Sequence, residues 1–198
     1  SFPKFDLPVD FIADDSITGD ILNYYGNFPC KIKAGVFVLC TEGMVRATIN
    51  LLEIVIRKND FIVVLPNSFI QIHEVSSDTR ISFAGFSSDF MLSGNYVEIL
   101  LDFMPMILNS PVISLQEDVA GLYRKVYLLL IRAYTLPHSL ENKEIIRSVL
   151  AIFLQGTKEL YKRYGRKLDE PLRREQELYR QFIQLLMAHY TSEHEVAF

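Results

Sequence analysis

The stretch "GVFVLCTEGMVRATINLLEIVIRKNDFIVVLPNSFIQIHEV", residues 35–75, decides how this chain folds. It consists of short runs rich in β-branched and aromatic residues, separated by turn signals such as Glu42-Gly43 and the polar "RKND" of residues 57–60. Residues 44–50 alternate between apolar and polar, as on a strand with one buried face. A further run, "RISFAGF", follows at residues 80–86. Strands at this spacing predict a β-sandwich or a small barrel.

Two helices are predicted after the strands. The first, "SLQEDVAGLYRKVYLLLIRAY" at residues 114–134, opens with a capping box in which the Ser114 side chain accepts from the N–H of Glu117 and Glu117 reaches back. The second is expected from about residue 140 to Tyr164, because acidic residues open it and Gly165 follows its end. Apolar residues recur every three or four positions in both, which predicts a helical region with antiparallel neighbours.

The second helix has two neighbouring apolar stripes, a wider face than a helix that only covers a barrel needs. The extra width indicates a second partner, which is either another helix of the same chain or the same helix of a second copy. Burial within the chain alone is the alternative. On the second-copy hypothesis, the dimerisation contact is assigned to four residues of this face: Leu150, Phe153, Leu154 and Tyr161.

The composition restricts the class of protein. The chain has 198 residues, a hydrophobic fraction of 49% and a net charge of -4, so we expect a packed core and no basic surface for nucleic acid. No apolar run reaches the length of a membrane span, and the first residues lack a signal-peptide pattern. We therefore expect a soluble, cytoplasmic protein without membrane contact. Cys30 and Cys40 are expected to be reduced and packed.

The end of the chain carries a family resemblance. Residues 165–177, "GRKLDEPLRREQE", are charged, contain Pro171 and predict a linker, whereas "FIQLLMAHYTSEHEVAF" at residues 182–198 is apolar again at helical spacing. This ending resembles the start of the DNA-binding module of the AraC/XylS family of bacterial transcription regulators, although His194 stands where the family usually has arginine. The matching positions are Phe182, Leu185, His189, Tyr190, Glu193, Val196, Ala197 and Phe198.

Residues 35–78 are similar to the N-terminal sensory domain of the same family, particularly of its Bacteroides-type members, which is a cupin-like barrel. The "KND" at residues 58–60 stands at the turn where many cupins have "PGD". The resemblance implies an α+β fold, with an N-terminal cupin-like β-barrel or jelly roll followed by an antiparallel helical region. It divides the chain into four parts: an effector-binding barrel at 1–110, a helical dimerisation region at 111–165, a linker at 166–177, and at 178–198 the first helix or two of a DNA-binding domain that is truncated at Phe198.

Metal-dependent chemistry lacks ligands in the sequence. A metal-binding cupin needs several converging histidine and carboxylate ligands, but the region where its histidine pair would fall has no histidine, and His73 comes two or three residues too late. His189 and Glu193 do not form an "HExxH" motif, and no nucleotide-binding or acyl-transfer motif is present. We expect no cofactor, no metal and no enzymatic activity. A metal-dependent cupin isomerase or dioxygenase is the rival hypothesis.

The resemblance implies an effector-sensing and dimerisation domain that controls helix-turn-helix DNA binding. Its partners would be a second copy of the chain, an unidentified small-molecule effector, for which a sugar is one candidate class, and DNA only through the missing C-terminal domain. Polar side chains within apolar strands are the candidate ligand-binding residues: Gln71, His73, Cys40 and Arg46. A ligand-free dimerisation domain, whose barrel is filled by its own Phe, Ile and Val side chains, is a third hypothesis.

Overall fold

A computed structural model describes residues 4–5, 7, 9–26, 28–92, 96–135 and 143–164, together with 174, 178, 181 and 185. The strands are β1 Lys4–Phe5, β2 Phe11–Thr18, β3 Cys30–Ile32, β4 Gly35–Glu42, β5 Met44–Ile49, β6 Leu52–Arg57, β7 Asp60–Val64, β8 Ser68–Val75, β9 Arg80–Phe86 and β10 Val112–Ser114. The helices are α1 Gly19–Tyr25, α2 Ser88–Leu92, α3 Tyr96–Asn109, α4 Glu117–Thr135 and α5 Lys143–Tyr164. No helix of these ranges is long and apolar enough to cross a membrane.

The strands form two five-stranded sheets. Sheet A has the order β1-β3-β8-β5-β6, and sheet B has the order β10-β7-β4-β9-β2. All neighbouring strands are antiparallel except β1 and β3. The α+β class predicted from the sequence is confirmed, as are the strands predicted within residues 35–86. Closure of the two sheets into a barrel or jelly roll stays a prediction.

Sheet B is covered on both faces. Its strand β7, between β10 and β4, is buried at every position, because Ile62 and Val64 point between the two sheets while Phe61 and Val63 point toward the helices. A strand between two apolar layers must be apolar throughout, which explains the uninterrupted "FIVV". Sheet A has one buried face, so β5 alternates, with Val45 among its buried positions.

The helices share one core with sheet B. The ring of Phe153 in α5 lies 4.8 Å from the ring of Phe37 in β4 and 6.1 Å from that of Phe61 in β7. The ring of Tyr123 in α4 lies 5.1 Å from that of Phe61. These contacts join the helices to sheet B, whose other face packs on sheet A.

The structure corrects two expectations about residues 88–117. The region 1–110, assigned to a barrel, contains α2 and α3, and β10 follows them and pairs with β7 in sheet B. Ser114 does not cap α4, because it belongs to β10 and its Oγ donates to Asp60 Oδ1 at 2.6 Å. The two predicted helices are confirmed as α4 and α5. The predicted linker and the 178–198 segment lie outside the described residues, apart from four single positions.

Candidate functional site

The four predicted ligand-binding residues do not converge. Gln71 and His73 of β8 and Arg46 of β5 lie on the outer face of sheet A, whereas Cys40 of β4 lies between the sheets. On the outer face, His73 Nε2 is 2.7 Å from Thr48 Oγ1, and Arg46 Nε is 3.3 Å from a carboxylate oxygen of Glu74. Sheet A thus separates Cys40 from the other three residues. Their roles in binding an effector stay predictions.

Cys40 is a packed thiol. It is fully buried, and its Sγ lies 3.2 Å from the carbonyl oxygen of Glu42. Burial raises the pKa of the Cys40 thiol to about 11, and the nearby charge of Asp60 adds to the increase. The thiol is therefore protonated at neutral pH and suits packing rather than nucleophilic chemistry.

The predicted dimerisation residues lie in the core of the single chain. The structure buries all of them inside the chain, with exposed fractions of 2% or less, against sheet B and against α3. The ring of Tyr161, for example, lies 6.1 Å from the ring of Phe103 in α3. Other parts of the same chain cover Leu150, Phe153, Leu154 and Tyr161 in this structure, and their role in dimerisation stays a prediction. The wide apolar face is explained by two intrachain partners.

The space between the sheets is filled by apolar side chains of both sheets, among them Val45, Ile54, Ile56, Ile62 and Ile81. A crevice lies instead at one end of the sandwich, where sheets A and B meet α3. Its free volume is about 10 Å³, which is roughly the space that one water molecule needs, whereas pockets for drug-sized ligands have roughly 300–1,000 Å³. We call it the junction crevice, and its lining consists of Ile49, Asn50, Val63, Leu65, Ser68, Ile107, Leu108 and Pro111.

Asn50 is the fixed polar group of the junction crevice. It lies in the tight turn between β5 and β6 with a positive φ of 49°, a conformation that asparagine tolerates. Its Oδ1 accepts from the Phe69 N–H at 2.8 Å, and its Nδ2 donates to Ser68 Oγ at 3.1 Å. The crevice thus combines an apolar wall with one polar edge, whose amide is hydrogen-bonded to Phe69 and Ser68.

A polar network ties the sheets to the helices at the opposite end of β7. Asn59, in the turn before β7, donates to Glu117 Oε2 of α4 at 2.6 Å, and Arg124 donates to both of these residues. Asp60 accepts from the Arg57 N–H at 2.7 Å and from the Ser114 hydroxyl. The "KND" turn was recognised in the sequence, but its helical partners were not, because they follow more than fifty residues later.

Three tyrosines introduce hydroxyls into the shared core. Burial raises the pKa values of Tyr123, Tyr127 and Tyr161, so all three are neutral at physiological pH. The Tyr123 hydroxyl is hydrogen-bonded to Thr157, whose own hydroxyl donates to the Phe153 carbonyl at 2.7 Å. The hydroxyls of Tyr127 and Tyr161 have no hydrogen-bond partner among the described residues.

Within the described part of the chain, no three His, Cys, Asp or Glu side chains are grouped so that they could hold a metal ion. No protein-family profile matches the chain, and no curated protein sequence matches it significantly.

Several solved structures are similar to this chain. ToxT from Vibrio cholerae is 13% identical, with a TM-score of 0.41 and coverage of 82% of this chain and 60% of that chain. Unsaturated fatty acid bound wild-type ToxT from the same species is 10% identical, with a TM-score of 0.41 and coverage of 87% and 62%. The EutQ protein of Clostridium difficile is 13% identical, with a TM-score of 0.28 and coverage of 43% and 55%.

This chain spans less than two thirds of the length of each of these structures. Their identities and TM-scores are low.

Proposed function

We propose that this chain is the effector-sensing and dimerising part of a cytoplasmic transcription regulator of the AraC/XylS type. The resemblance of residues 35–78 and 182–198 to that family supports the assignment. The observation that carries it is the core shared by sheet B and the helices, in which Phe153 of α5 contacts Phe37 of β4 at 4.8 Å between ring centroids. A strand displaced by a ligand must then displace a helix.

The junction crevice is the proposed effector site. Its lining combines Asn50 and Ser68 at one end of sheet A with Ile107 and Leu108 of α3, so a molecule bound there would contact both layers. A molecule larger than water would have to widen the crevice, which displaces one layer relative to the other. A ligand that prefers one arrangement of these layers shifts the population toward it. This preference is a coupling free energy that the helices could pass to a DNA-binding module.

DNA contact is assigned to the helix-turn-helix module that residues 182–198 resemble. The net charge of -4 supports the assignment of DNA contact to that module rather than to the sensing part, because phosphate recognition needs a basic surface. A homodimer would present two such modules to two half-sites, and the second module would bind at a raised effective concentration.

A thermal-shift screen of the chain tests the sensor. The probes are sugars, short oligosaccharides and small aromatic acids, with the mass in solution measured alongside. A compound at 100 times its dissociation constant should add about 2.7 kcal/mol to the free energy of unfolding, which raises Tm by several degrees. A reproducible response supports the proposal.

Variants locate the effector site. Leu108→Trp, at a half-buried position of the junction crevice, should abolish the response by filling the site. The combined change Gln71→Ala and His73→Ala, on the outer face of sheet A, is the control and should leave the response intact. The opposite pattern would move the site to the outer face of sheet A, where Gln71 and His73 lie.

A ligand-free dimerisation domain is the second candidate function. The apolar side chains that fill the space between the sheets favour it. This alternative predicts a dimer that responds to no compound in the screen. A metal-dependent cupin enzyme predicts instead a stoichiometric metal in the purified protein, which elemental analysis measures.

A further inference from the structure

The four sheet edges of the described structure are protected to different degrees. The edge strands β1 and β10 have two and three residues, and β2 packs against α4. The edge strand β6 has six residues, and among the described residues its main contacts are with its neighbour β5 and with β4 across the sandwich. An uncovered edge of this length offers a row of unpaired backbone groups to another strand.

The free side of β6 can be identified from its hydrogen bonds. The Arg57 N–H is bonded to Asp60 Oδ2 at 2.7 Å and therefore does not point to β5. Backbone N–H groups alternate in direction along a strand, so the N–H groups of Glu53 and Val55 also point away from β5. Because the Arg57 N–H is bonded to Asp60, the donors that β6 offers to a further strand on this side are those of Glu53 and Val55. The side chains of these three residues are exposed on the outer face, whereas Ile54 and Ile56 are buried between the sheets.

We propose that β6 pairs with β6 of a second copy of this chain, antiparallel and centred on Val55. In this register Glu53 lies opposite Arg57 of the second copy, and Arg57 lies opposite its Glu53. Val55, which is 39% exposed, meets its own counterpart. Ile54 and Ile56 pair across the junction on the buried face and extend the apolar interior. The contact is isologous, as a two-fold dimer requires.

The charge pattern selects this register. A parallel in-register pair would place Glu53 beside Glu53 and Arg57 beside Arg57, which like-charge repulsion disfavours. A slip by one residue would bring apolar and charged side chains onto the same face. The two charged residues thus disfavour the parallel pairing and favour the antiparallel one, in which opposite charges face each other.

The other exposed apolar surface is less suited to a second copy. Leu122 and Leu129 of α4 are each 59% exposed, but Lys125 lies between them. A two-fold contact of α4 with itself would bring two lysines together at its centre, where charge is least tolerated. We therefore assign the homodimer contact to β6. The inference rests on the proposed function, because the homodimer is part of it.

Charge reversal tests the β6 pair. Glu53→Arg would place Arg opposite Arg57 of the second copy, and Arg57→Glu would place Glu opposite its Glu53. Each single variant should raise the dimer dissociation constant by about tenfold or more, measured by sedimentation equilibrium. The double variant Glu53→Arg with Arg57→Glu restores both opposite-charge pairs and should dimerise like the wild type. Both positions are exposed, so the fold should be retained, which circular dichroism checks.

Mixing provides a second readout. The two single variants complement each other, so an equimolar mixture should form a heterodimer although each alone is monomeric. Leu122→Glu is the control on the α4 surface and should leave the dimer unchanged.

A dimer that tolerates both single reversals, or that Leu122→Glu disrupts instead, would overturn the β6 assignment while leaving the proposed homodimer standing. A monomeric wild type would overturn both, without affecting the thermal-shift test of the effector site.

Discussion

Asn59 Nδ2 donates a 2.6 Å hydrogen bond to Glu117 Oε2 and so joins the turn between β6 and β7 to the first turn of α4. Arg124 completes the link, because its guanidinium donates to Asn59 at 3.2 Å and to Glu117 at 2.6 Å. Asn59 has a positive φ of 68°, which asparagine adopts more readily than most residues. The turn and the helix are thereby held in one arrangement.

This link should contribute a pH dependence at Glu117. The hydrogen bond from Asn59, followed by that from Arg124, lowers the pKa of Glu117 below its ordinary value of 4.5. A lowered pKa in the folded state means that the stabilisation is complete above that value and is lost as the pH falls through the folded-state pKa. Glu117→Gln should therefore lose less stability than the wild type between neutral and acidic pH, measured as urea midpoints.

Asp118→Asn is the matched control, because it removes a charge from the adjacent exposed residue without touching Asn59. An acid loss of stability in Glu117→Gln equal to that of the wild type would contradict the role assigned to this link.

Leu51 is held in a conformation that suits glycine. It has a φ of 71° and is 79% exposed in the turn between β5 and β6. The left-handed region costs a residue with a Cβ about 1–2 kcal/mol, a cost that glycine avoids. Glycine also loses more backbone freedom on folding, which offsets part of this gain in stability. Leu51→Gly should therefore stabilise the protein by about 0.5–1 kcal/mol in urea unfolding. Leu51→Ala keeps the Cβ and should show no such gain; an equal gain in both variants would exclude backbone strain as the cause.

Tyr127 has a buried hydroxyl without a hydrogen-bond partner among the described residues. An unsatisfied buried donor costs about 1–3 kcal/mol, so Tyr127→Phe should stabilise the protein by about 1 kcal/mol. Tyr123→Phe should do the opposite, because it removes a hydrogen bond to Thr157. Chemical denaturation of both variants measures the difference, and a destabilised Tyr127→Phe would show that the hydroxyl has a partner.

Phe153 is expected to stabilise the fold of the single chain. It is 2% exposed, and its ring also lies 5.6 Å from that of Tyr127. Phe153→Ala should cost about 3–5 kcal/mol of unfolding free energy. Ile152→Ala should change it by no more than about 0.5 kcal/mol, because Ile152 is 68% exposed. A charged residue at position 153 should prevent folding, and a folded monomer carrying it would restore the original dimer assignment.

Cys40 should resist thiol reagents in the native protein. Burial raises its pKa to about 11 and excludes solvent. Cys30 is half-buried in β3 and serves as the internal comparison. With a disulfide reagent at about pH 8, Cys30 should react first, and Cys40 only after unfolding. Equal rates for both cysteines in the native state would contradict the burial of Cys40.

Local patterns predicted most of the elements but few of their contacts. The period of two in residues 44–50 and the period near 3.6 in α4 and α5 follow from backbone geometry, so they can be recognised in one sequence. The spacing of Ser114 and Glu117 also fits a local pattern, the capping box, yet the Ser114 hydroxyl bonds to Asp60, which is 54 residues away. This long-range hydrogen bond replaces the predicted helix cap, because folding brings the Asp60 carboxylate within reach of the Ser114 hydroxyl.

The candidate site depends on tertiary structure even more strongly. The junction crevice combines Asn50 and Ser68 of sheet A with Leu108 of α3, and no spacing in the sequence relates these residues. The predicted ligand-binding residues were chosen as polar positions in apolar strands, a criterion that does not show which face of a sheet each one occupies.

The sequence by itself determined the strand and helix periods and the tight turns, because these depend on neighbours in the chain. Only the tertiary structure decided that the wide face of α5 is covered by sheet B and α3, and that Cys40 is separated from Gln71 and His73. The physical reason is that the hydrophobic effect has no direction. It requires each apolar stripe to be covered, but the stripe does not specify the surface that covers it.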